Sequence, residues 1–172
     1  MKRNVTLGPH PHYHDTLKLL QKYRDVNWSI EVSSQYLESE FRAEYGNVSP
    51  DHLDDLGLGG SKHSAERLEG VAASQQKSKR LLELVNKAVD LMRQKHKKGE
   101  LYYWVLYYTY LSPQEPANVN EILIQLEKHF PPMSVRTYYG KREEAVNILS
   151  SVLWGYTSKE CQDIVQSLFS EQ

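Results

Sequence analysis

The chain has 172 residues, 40% of them hydrophobic and 25% charged, and a formal net charge of −1, which is typical of a soluble globular protein of one ordinary or two small domains. No apolar run approaches the roughly 20 residues that span a bilayer, and the N-terminus lacks the apolar region of a secretory signal, so we expect no membrane partner. The single cysteine, Cys161, excludes an internal disulfide and a multi-cysteine zinc site and indicates a cytoplasmic location.

The N-terminal part is predicted to consist of a disordered tail and a helical segment. Residues 1–14 contain two prolines, one glycine and three histidines without periodicity, which indicates disorder. The helical segment, residues 15–45, is predicted to hold one helix that Asp15 caps and that runs through Tyr23, and another over Trp28–Tyr45.

A flexible linker is predicted over residues 46–63, which contain four glycines and Pro50. The charge around this linker is uneven. Residues 30–56 contain seven acidic residues and one basic residue, whereas residues 62–98 contain ten basic and four acidic residues. This asymmetry fits a basic DNA-facing part beside an acidic arm, and it fits solvated helix faces equally well.

The C-terminal part, residues 64–172, is predicted to be a helical domain. Its first helix is strongest from Ser78 to Lys97, and Gly99 is predicted to cap its C-terminus. Apolar side chains recur there on one helix face: Leu81, Leu84, Val85, Ala88, Val89 and Met92. This face is predicted to pack on the C-terminal helices, with a dimer seam as the alternative, because it is shorter than a self-standing coiled coil.

Four further helices are predicted after this long helix. Residues 100–111 are apolar or aromatic nearly all round, which predicts a buried helix, since no partner strand is predicted for the competing strand assignment. The others are predicted over residues 119–129, 134–153 and 158–169, the first two capped by Asn118 and Ser134.

Residues 118–154 have the layout of a helix-turn-helix, whose second helix enters the DNA major groove. The first helix is predicted to face a core with Ile122, Leu123 and Leu126, and the second with Tyr138, Ala145, Val146, Leu149, Val152 and Leu153. The second helix also carries polar and basic residues near its N-terminus, as base and phosphate contacts require. The predicted DNA contacts on it are Ser134, Arg136, Thr137, Tyr139, Lys141 and Arg142, and further phosphate contacts are predicted from Lys77, Lys79 and Arg80. Gly140 either permits a close approach to DNA or is neutral drift.

The segment NVNEILIQLEKHFPPMSVRTYYGKREEAVNIL resembles the promoter-reading helix-turn-helix at the C-terminus of bacterial sigma factors. The matching positions are Ser134, Arg136-Thr137, Lys141-Arg142-Glu143-Glu144, Ala145 and Leu149. The wider layout, with a Tyr138-Tyr139 pair behind a long helix, resembles the ArpU/RinA type of phage transcriptional regulators. The specific resemblance covers residues 78–156 and implies a transcriptional regulator.

We therefore expect an all-α protein with an N-terminal helical segment, a flexible linker and a C-terminal helical bundle that contains a sigma-like helix-turn-helix. The expected function is sequence-specific binding of double-stranded DNA in bacterial or phage transcription, and a homodimer would suit a palindromic site. The alternative is a sigma-like module that binds RNA polymerase or another regulator without reading DNA. Its basis is the near-neutral recognition helix, because residues 134–150 contain three basic and two acidic residues.

No catalytic residue, cofactor or metal site is predicted. The chain has no glycine-rich phosphate loop or nucleophile elbow, and Glu143 and Glu144 diverge by about 100° around a helix, so they do not form a facing catalytic pair. His10, His12 and His14 would hold a metal only as an extended strand. Without a nearby carboxylate or cysteine cluster they are predicted to belong to the flexible tail.

Overall fold

The structure is a computed structural model that describes residues 9–45 and 62–155. This part of the chain is helical and contains α1 (Tyr13–Tyr45), α2 (Lys62–Lys95), α3 (Gly99–Leu106), α4 (Val119–Leu126) and α5 (Val135–Trp154). A π-helical segment, Tyr107–Leu111, continues α3. The all-α class is confirmed, and within the described ranges no helix is long and apolar enough to cross a membrane. The predicted helix 158–169, which includes Cys161, lies outside the described residues.

The two long helices each contribute to two compact units. The first unit comprises Met1–Arg24 and Val85–Gln172, and the second unit comprises Asp25–Leu84. The predicted segments divide at the glycine-rich stretch, where the composition of the sequence changes. A sequence does not show that two compact units share one continuous helix. Of the predicted linker, residues 46–61 are outside the described residues and residues 62–63 belong to α2.

Helix α1 is one helix of 33 residues, where two separate helices were predicted. The residues between the two predicted helices, 24–27, are polar except for Val26, but neither they nor any other part of α1 contain proline or glycine. Polar residues alone do not stop a helix. The predicted cap is also displaced, because α1 begins at Tyr13 and Asp15 lies in its first turn, where a carboxylate favours the positive helix end.

Residues 9–14, which were predicted to be disordered, lie against the end of α5. The His10 side chain is buried, its backbone N–H donates to Asn147 Oδ1 at 2.6 Å, and its ring Nε2 lies 3.0 Å from the carbonyl oxygen of Gly155. The partners are more than 130 residues away in the chain, so no local sequence pattern predicts the contact. Thr16, near the start of α1, also contacts α5, because Ser150 Oγ donates a hydrogen bond to its hydroxyl at 2.8 Å.

The main core of the first unit combines residues from α1, α2, α3 and α5. Its buried members are Leu20, Val85, Ala88, Val89, Met92, Tyr102, Leu106, Tyr110, Ala145, Val146 and Leu149. The predicted apolar face of α2 is therefore correct from Val85 to Met92 but wrong at its start. Leu81 and Leu84 are exposed, whereas Leu82 is buried. The side of α2 that packs at this point is therefore rotated from the side that the spacing of the apolar residues predicted.

A second core cluster holds the beginning of α5 against α3 and α4. It contains the buried Val105, Ile122, Leu126 and Tyr138, with Leu123 and Met133 partly buried beside it. The predicted inward residues of α4 and α5 thus lie in cores, Leu123 less completely than Ile122 and Leu126. Packing in this cluster determines the position of the first turn of α5 relative to α3 and α4.

Gly99 has a different role from the predicted C-cap. Helix α2 ends at Lys95, and Gly99 is the first residue of α3. A Cβ at this position would collide with the backbone of Met92 and Arg93. Glycine is therefore required because the chain passes close to the end of α2, which only a residue without a side chain permits.

Candidate nucleic-acid interface

Both helices of the predicted helix-turn-helix begin at the predicted caps. Asn118 Oδ1 accepts a hydrogen bond from the backbone N–H of Glu121 at 3.2 Å, and Ser134 Oγ accepts one from that of Thr137 at 3.1 Å. Each cap satisfies a helix N–H group that otherwise has no partner. The Ser134 and Thr137 hydroxyls also lie 2.9 Å apart, so part of their hydrogen-bonding capacity is used locally.

The Tyr138-Tyr139 pair is divided between the core and the surface. Tyr138 is 1% exposed, and its hydroxyl lies 2.9 Å from Thr109 Oγ1, which itself donates to the carbonyl of Val105 at 2.6 Å. Burial raises the pKa of Tyr138 above its ordinary value, so this phenol stays neutral and can donate. Tyr139 is 40% exposed. The buried ring anchors the start of α5 and directs its neighbours outward.

The exposed side of this first stretch carries Arg136, Thr137, Tyr139 and Gly140. The side chain of Arg136 forms no hydrogen bond or ion pair with any residue of the described ranges. At about 100° per residue, Arg136 lies about 200° around the helix from the buried Tyr138, so it faces away from the core. A Cβ at Gly140 would meet nothing within 4 Å, so packing does not require glycine there.

Lys141 is held by a carboxylate on its own helix. Its Nζ lies 3.0 Å from both carboxylate oxygens of Glu144, and Lys98 Nζ lies 3.6 Å from the same group. Tyr102 donates its hydroxyl hydrogen to Glu144 at 2.7 Å. Burial works against ionisation of Glu144, but the hydrogen bonds from Tyr102 and Lys141 outweigh it and lower the pKa of this carboxyl. The Lys141 charge is therefore largely compensated.

Arg142 lies on the packed side of α5 rather than on the exposed side. It follows Tyr138 by four residues and so shares its helix face. Its guanidinium carbon stands 4.8 Å from the centre of the Tyr139 ring, and its Nε is buried without a hydrogen-bond partner among the described residues. The guanidinium therefore lies against the Tyr139 ring, and its positive charge lies close enough to Tyr138 to oppose the rise in the pKa of that phenol.

The connection between α4 and α5 is stiffened by aromatic stacking. The ring of His129 stacks on Trp104 with centroids 3.7 Å apart, and its Nε2 lies 3.0 Å from the Tyr108 hydroxyl. Glu100 orients Trp104 by accepting from the indole N–H at 2.9 Å. The connection, residues 127–134, is longer than the three or four residues of a minimal helix-turn-helix turn. Its position relative to α3 is nevertheless defined by these contacts.

The three remaining predicted contacts, Lys77, Lys79 and Arg80, are exposed on the part of α2 that belongs to the second unit. Residues Ser134 to Arg142 belong to the first unit. Of the six predicted contacts on α5, four are exposed, Lys141 is paired with Glu144, and Arg142 lies on the packed side. The three cations of α2 belong to the other unit.

Sequence reasoning missed Glu144 and the aromatic support of the connection. The spacing of Lys141 and Glu144, three residues apart, is a recognised signal for a helix ion pair and could have found the first. Trp104 and His129 are 25 residues apart, and no pattern in the sequence connects them. In the described ranges, no group of three or more His, Cys, Asp or Glu side chains is arranged to hold a metal.

A groove of about 770 Å³ opens on another side of α4. Tyr107, Tyr108 and residues 112–116 line one part of it, and Glu121 and Gln125 line another. It combines aromatic, proline and polar groups.

Comparison with known proteins gives this chain no relative: no protein-family model, curated protein or solved structure matches it. The functional inference therefore depends on the geometry of the described residues.

Proposed function

We propose that this chain is a sequence-specific DNA-binding transcriptional regulator of bacterial or phage type and that α5 enters the major groove. The observation that carries the proposal is the exposed first stretch of α5, where Arg136 has no partner in the described ranges and Tyr138 is anchored in the core. Guanine offers two acceptors to a guanidinium in the major groove, so a free arginine on a fixed helix start suits base recognition.

The neighbouring residues supply contacts to the DNA backbone. The capped N-terminus of α5 would direct backbone N–H groups toward a phosphate, and the exposed Thr137 and Tyr139 carry hydroxyls that can bond phosphate. Arg142, which packs beside Tyr139, would add positive charge near the DNA backbone. Lys141 contributes less, because Glu144 already compensates its charge.

The resemblance to the sigma-factor helix-turn-helix supports the same reading. Ser134 is the N-cap that the resemblance implies, and the Tyr138-Tyr139 pair provides one buried anchor and one exposed ring. The low net charge of α5 means that phosphate neutralisation must come partly from elsewhere, and Lys77, Lys79 and Arg80 are exposed cations available for it.

A second candidate function is a sigma-like module that binds RNA polymerase or another regulator without reading DNA. Two observations favour it: the compensated charge of Lys141, and the groove of about 770 Å³ beside Tyr107 and Tyr108. Aromatic residues are enriched in protein–protein interfaces, and a groove of this composition suits a peptide segment.

The experiment that separates the two functions is a salt titration of binding to random-sequence duplex DNA, followed by fluorescence anisotropy. A DNA-binding protein loses affinity steeply as salt rises, because each neutralised phosphate releases counterions. We expect measurable affinity that falls with salt and that weakens in Arg136→Ala. The Arg42→Ala variant removes an arginine from an exposed pair on α1 and serves as the matched control. Absence of binding at low salt would favour the protein-binding alternative.

A further inference from the structure

The second unit is a pair of helical segments with little apolar contact of its own. It contains residues 25–45 of α1 and residues 62–84 of α2. Among the side chains described there, only Leu82 is buried. The surface between the segments is lined largely by small polar residues around a cavity of about 360 Å³; they include Ser29, Ser33, Gly70, Ser74, Gln75 and Ser78. In water, helices depend on apolar packing for most of their stability, and this pair supplies little.

The contacts within the pair are mainly polar. Gln75 donates a hydrogen bond to the carbonyl of Ile30 at 3.2 Å and another to the hydroxyl of Ser34. Arg67 forms an ion pair with Glu40 at 2.9 Å and lies 5.8 Å from the centre of the Tyr36 ring. These contacts show which side of α1 faces α2, since Ile30, Ser34 and Glu40 mark it.

Two large apolar side chains of α1 are exposed outside that contact. Trp28 is 67% exposed and Val32 is 45% exposed, and they are four residues apart. Trp28 lies about 200° around the helix from Ile30 and therefore points away from α2. On α2, Leu81 and Leu84 are also exposed. A tryptophan, a valine and two leucines exposed within one small unit are typical of an interaction surface.

The two segments carry opposite charge. Residues 25–45 contain five acidic residues and one basic residue, whereas residues 62–84 contain five basic and three acidic residues. A surface that combines an acidic helix and a basic helix is complementary to a second copy of itself, because a two-fold axis places each acidic segment against the partner's basic segment.

We propose that the second unit is a homodimer interface, in which two copies of the helical pair form an antiparallel four-helix bundle around Trp28, Val32, Leu81 and Leu84. The apolar residues become its core, and the acidic segment of each α1 lies along the basic segment of the partner's α2. The interface does not involve the α5 surface, so its failure would leave the proposed role of α5 untouched. In the dimer, Lys77 and Arg80 would face the partner's acidic segment instead of a phosphate.

The first test is the mass of the full-length chain in solution without DNA, measured by sedimentation equilibrium over a range of concentrations. The wild type is expected to have twice the monomer mass. Trp28→Glu and Val32→Glu place a charge in the proposed core and should each raise the dimer dissociation constant roughly 100-fold or more. Both side chains are exposed in the monomer, so the helical circular dichroism signal should persist. A monomeric wild type, or a dimer that survives Trp28→Glu, would overturn the proposal.

The second test uses exchange of charge between the two helices. Glu31→Lys/Glu38→Lys places lysines on the acidic segment, where they face the partner's basic segment, and Lys77→Glu/Arg80→Glu places glutamates on the basic segment, where they face the partner's acidic segment. Each double variant alone should dimerise poorly because the substituted positions then meet like charge. An equal mixture of the two should recover heterodimers, since the introduced lysines of one chain face the segment that carries the introduced glutamates of the other.

The matched control is Lys87→Glu/Lys95→Glu, which reverses two exposed charges on α2 outside the second unit. It should dimerise like the wild type. A contact confined to one chain cannot be repaired by mixing two variants, so failure of the mixture to form heterodimers would contradict the proposed pairing of segments.

Discussion

The Lys141 ammonium lies 3.0 Å from both carboxylate oxygens of Glu144, one turn farther along α5. The same carboxylate accepts from Tyr102 on α3. A residue predicted to contact DNA is thus bound to the scaffold by an acidic neighbour. Glu144 joins α5 to α3 and at the same time limits the positive charge that α5 can offer a phosphate.

Glu144→Gln should release Lys141 for DNA. We expect higher affinity for random duplex DNA and a salt slope that is steeper by about one ion, because one more cation becomes available. Glu143→Gln is the matched control, since it removes the same charge from an exposed neighbour that does not bind Lys141. Equal gains in the two variants would show that total charge, rather than the Lys141–Glu144 pair, controls affinity.

The same carboxylate makes stability depend on pH. The pKa of Glu144 is lower in the folded chain than in the unfolded chain, where a glutamate has a pKa of about 4.3. The stabilisation is therefore complete above the unfolded value and is lost as the pH falls through the folded value. Thermal unfolding as a function of pH should show wild type and Glu144→Gln converging below about pH 4. A constant difference down to strongly acidic pH would contradict the assignment.

Ser134 caps α5 and is proposed to contact a phosphate, and substitutions can separate these two roles. Ser134→Ala should cost about 1 kcal/mol of unfolding free energy, because a helix N–H loses its acceptor. Ser134→Asn and Ser134→Asp should both restore the cap. Only the aspartate introduces a negative charge where DNA is expected, so Ser134→Asp alone should lose DNA affinity in anisotropy titrations. Loss of affinity in the asparagine variant as well would point to a direct role for the serine hydroxyl.

Gly140→Ala should stabilise the chain by about 1 kcal/mol, since alanine favours a helix interior and a Cβ at this position meets nothing within 4 Å. Gly70→Ala on α2 is the matched control, because its Cβ also has open space. Urea unfolding should show similar gains for both. We expect unchanged DNA affinity for Gly140→Ala; a loss confined to this variant would show that DNA approaches the helix at Gly140.

Arg24 secures the end of the π-helical segment. Its guanidinium donates to the carbonyls of Thr109 and Ser112 at 3.0 and 2.8 Å and to the Ser112 hydroxyl at 3.2 Å. Arg24→Gln should lower the unfolding free energy by about 1.5–3 kcal/mol, as expected for lost hydrogen bonds to a charged group. Arg24→Lys should not restore it, because an ammonium cannot reproduce the planar set of donors.

Arg42→Gln is the comparison for this loss. Arg42 pairs with Glu38 on the exposed surface of α1, and such pairs contribute at most about 0.5 kcal/mol. Urea unfolding under one set of conditions should show a larger loss of unfolding free energy for Arg24→Gln than for Arg42→Gln. Equal effects would show that the Arg24 contacts do not stabilise the π-helical segment.

The sequence predicted the features that depend on local chemistry. The caps Asn118 and Ser134, the bounds of α5 and the inward position of Tyr138 follow from side-chain hydrogen bonding and helical spacing, which act within a few residues. The all-helical class follows from the same signals.

The features that the sequence did not predict depend on contacts between distant residues. The continuity of α1 and the burial of His10 depend on partners elsewhere in the chain, such as Asn147. The exposure of Leu84 in place of Leu82 depends on which side of α2 faces the core. At the candidate interface, the sequence predicted which residues lie on α5 but not their contacts, since the pairing of Lys141 with Glu144 and the burial of Arg142 Nε depend on the packed structure.

The most direct test of the proposed function is binding to a duplex enriched from a random pool by the wild-type chain, compared with a duplex that carries single base changes. The wild type should prefer the enriched site, and Arg136→Ala should lose roughly 1–3 kcal/mol of discrimination at one position while retaining its salt dependence. Equal binding of all duplexes by the wild type and by an Arg136→Ala/Lys141→Ala variant would contradict the assignment of α5 as a recognition helix.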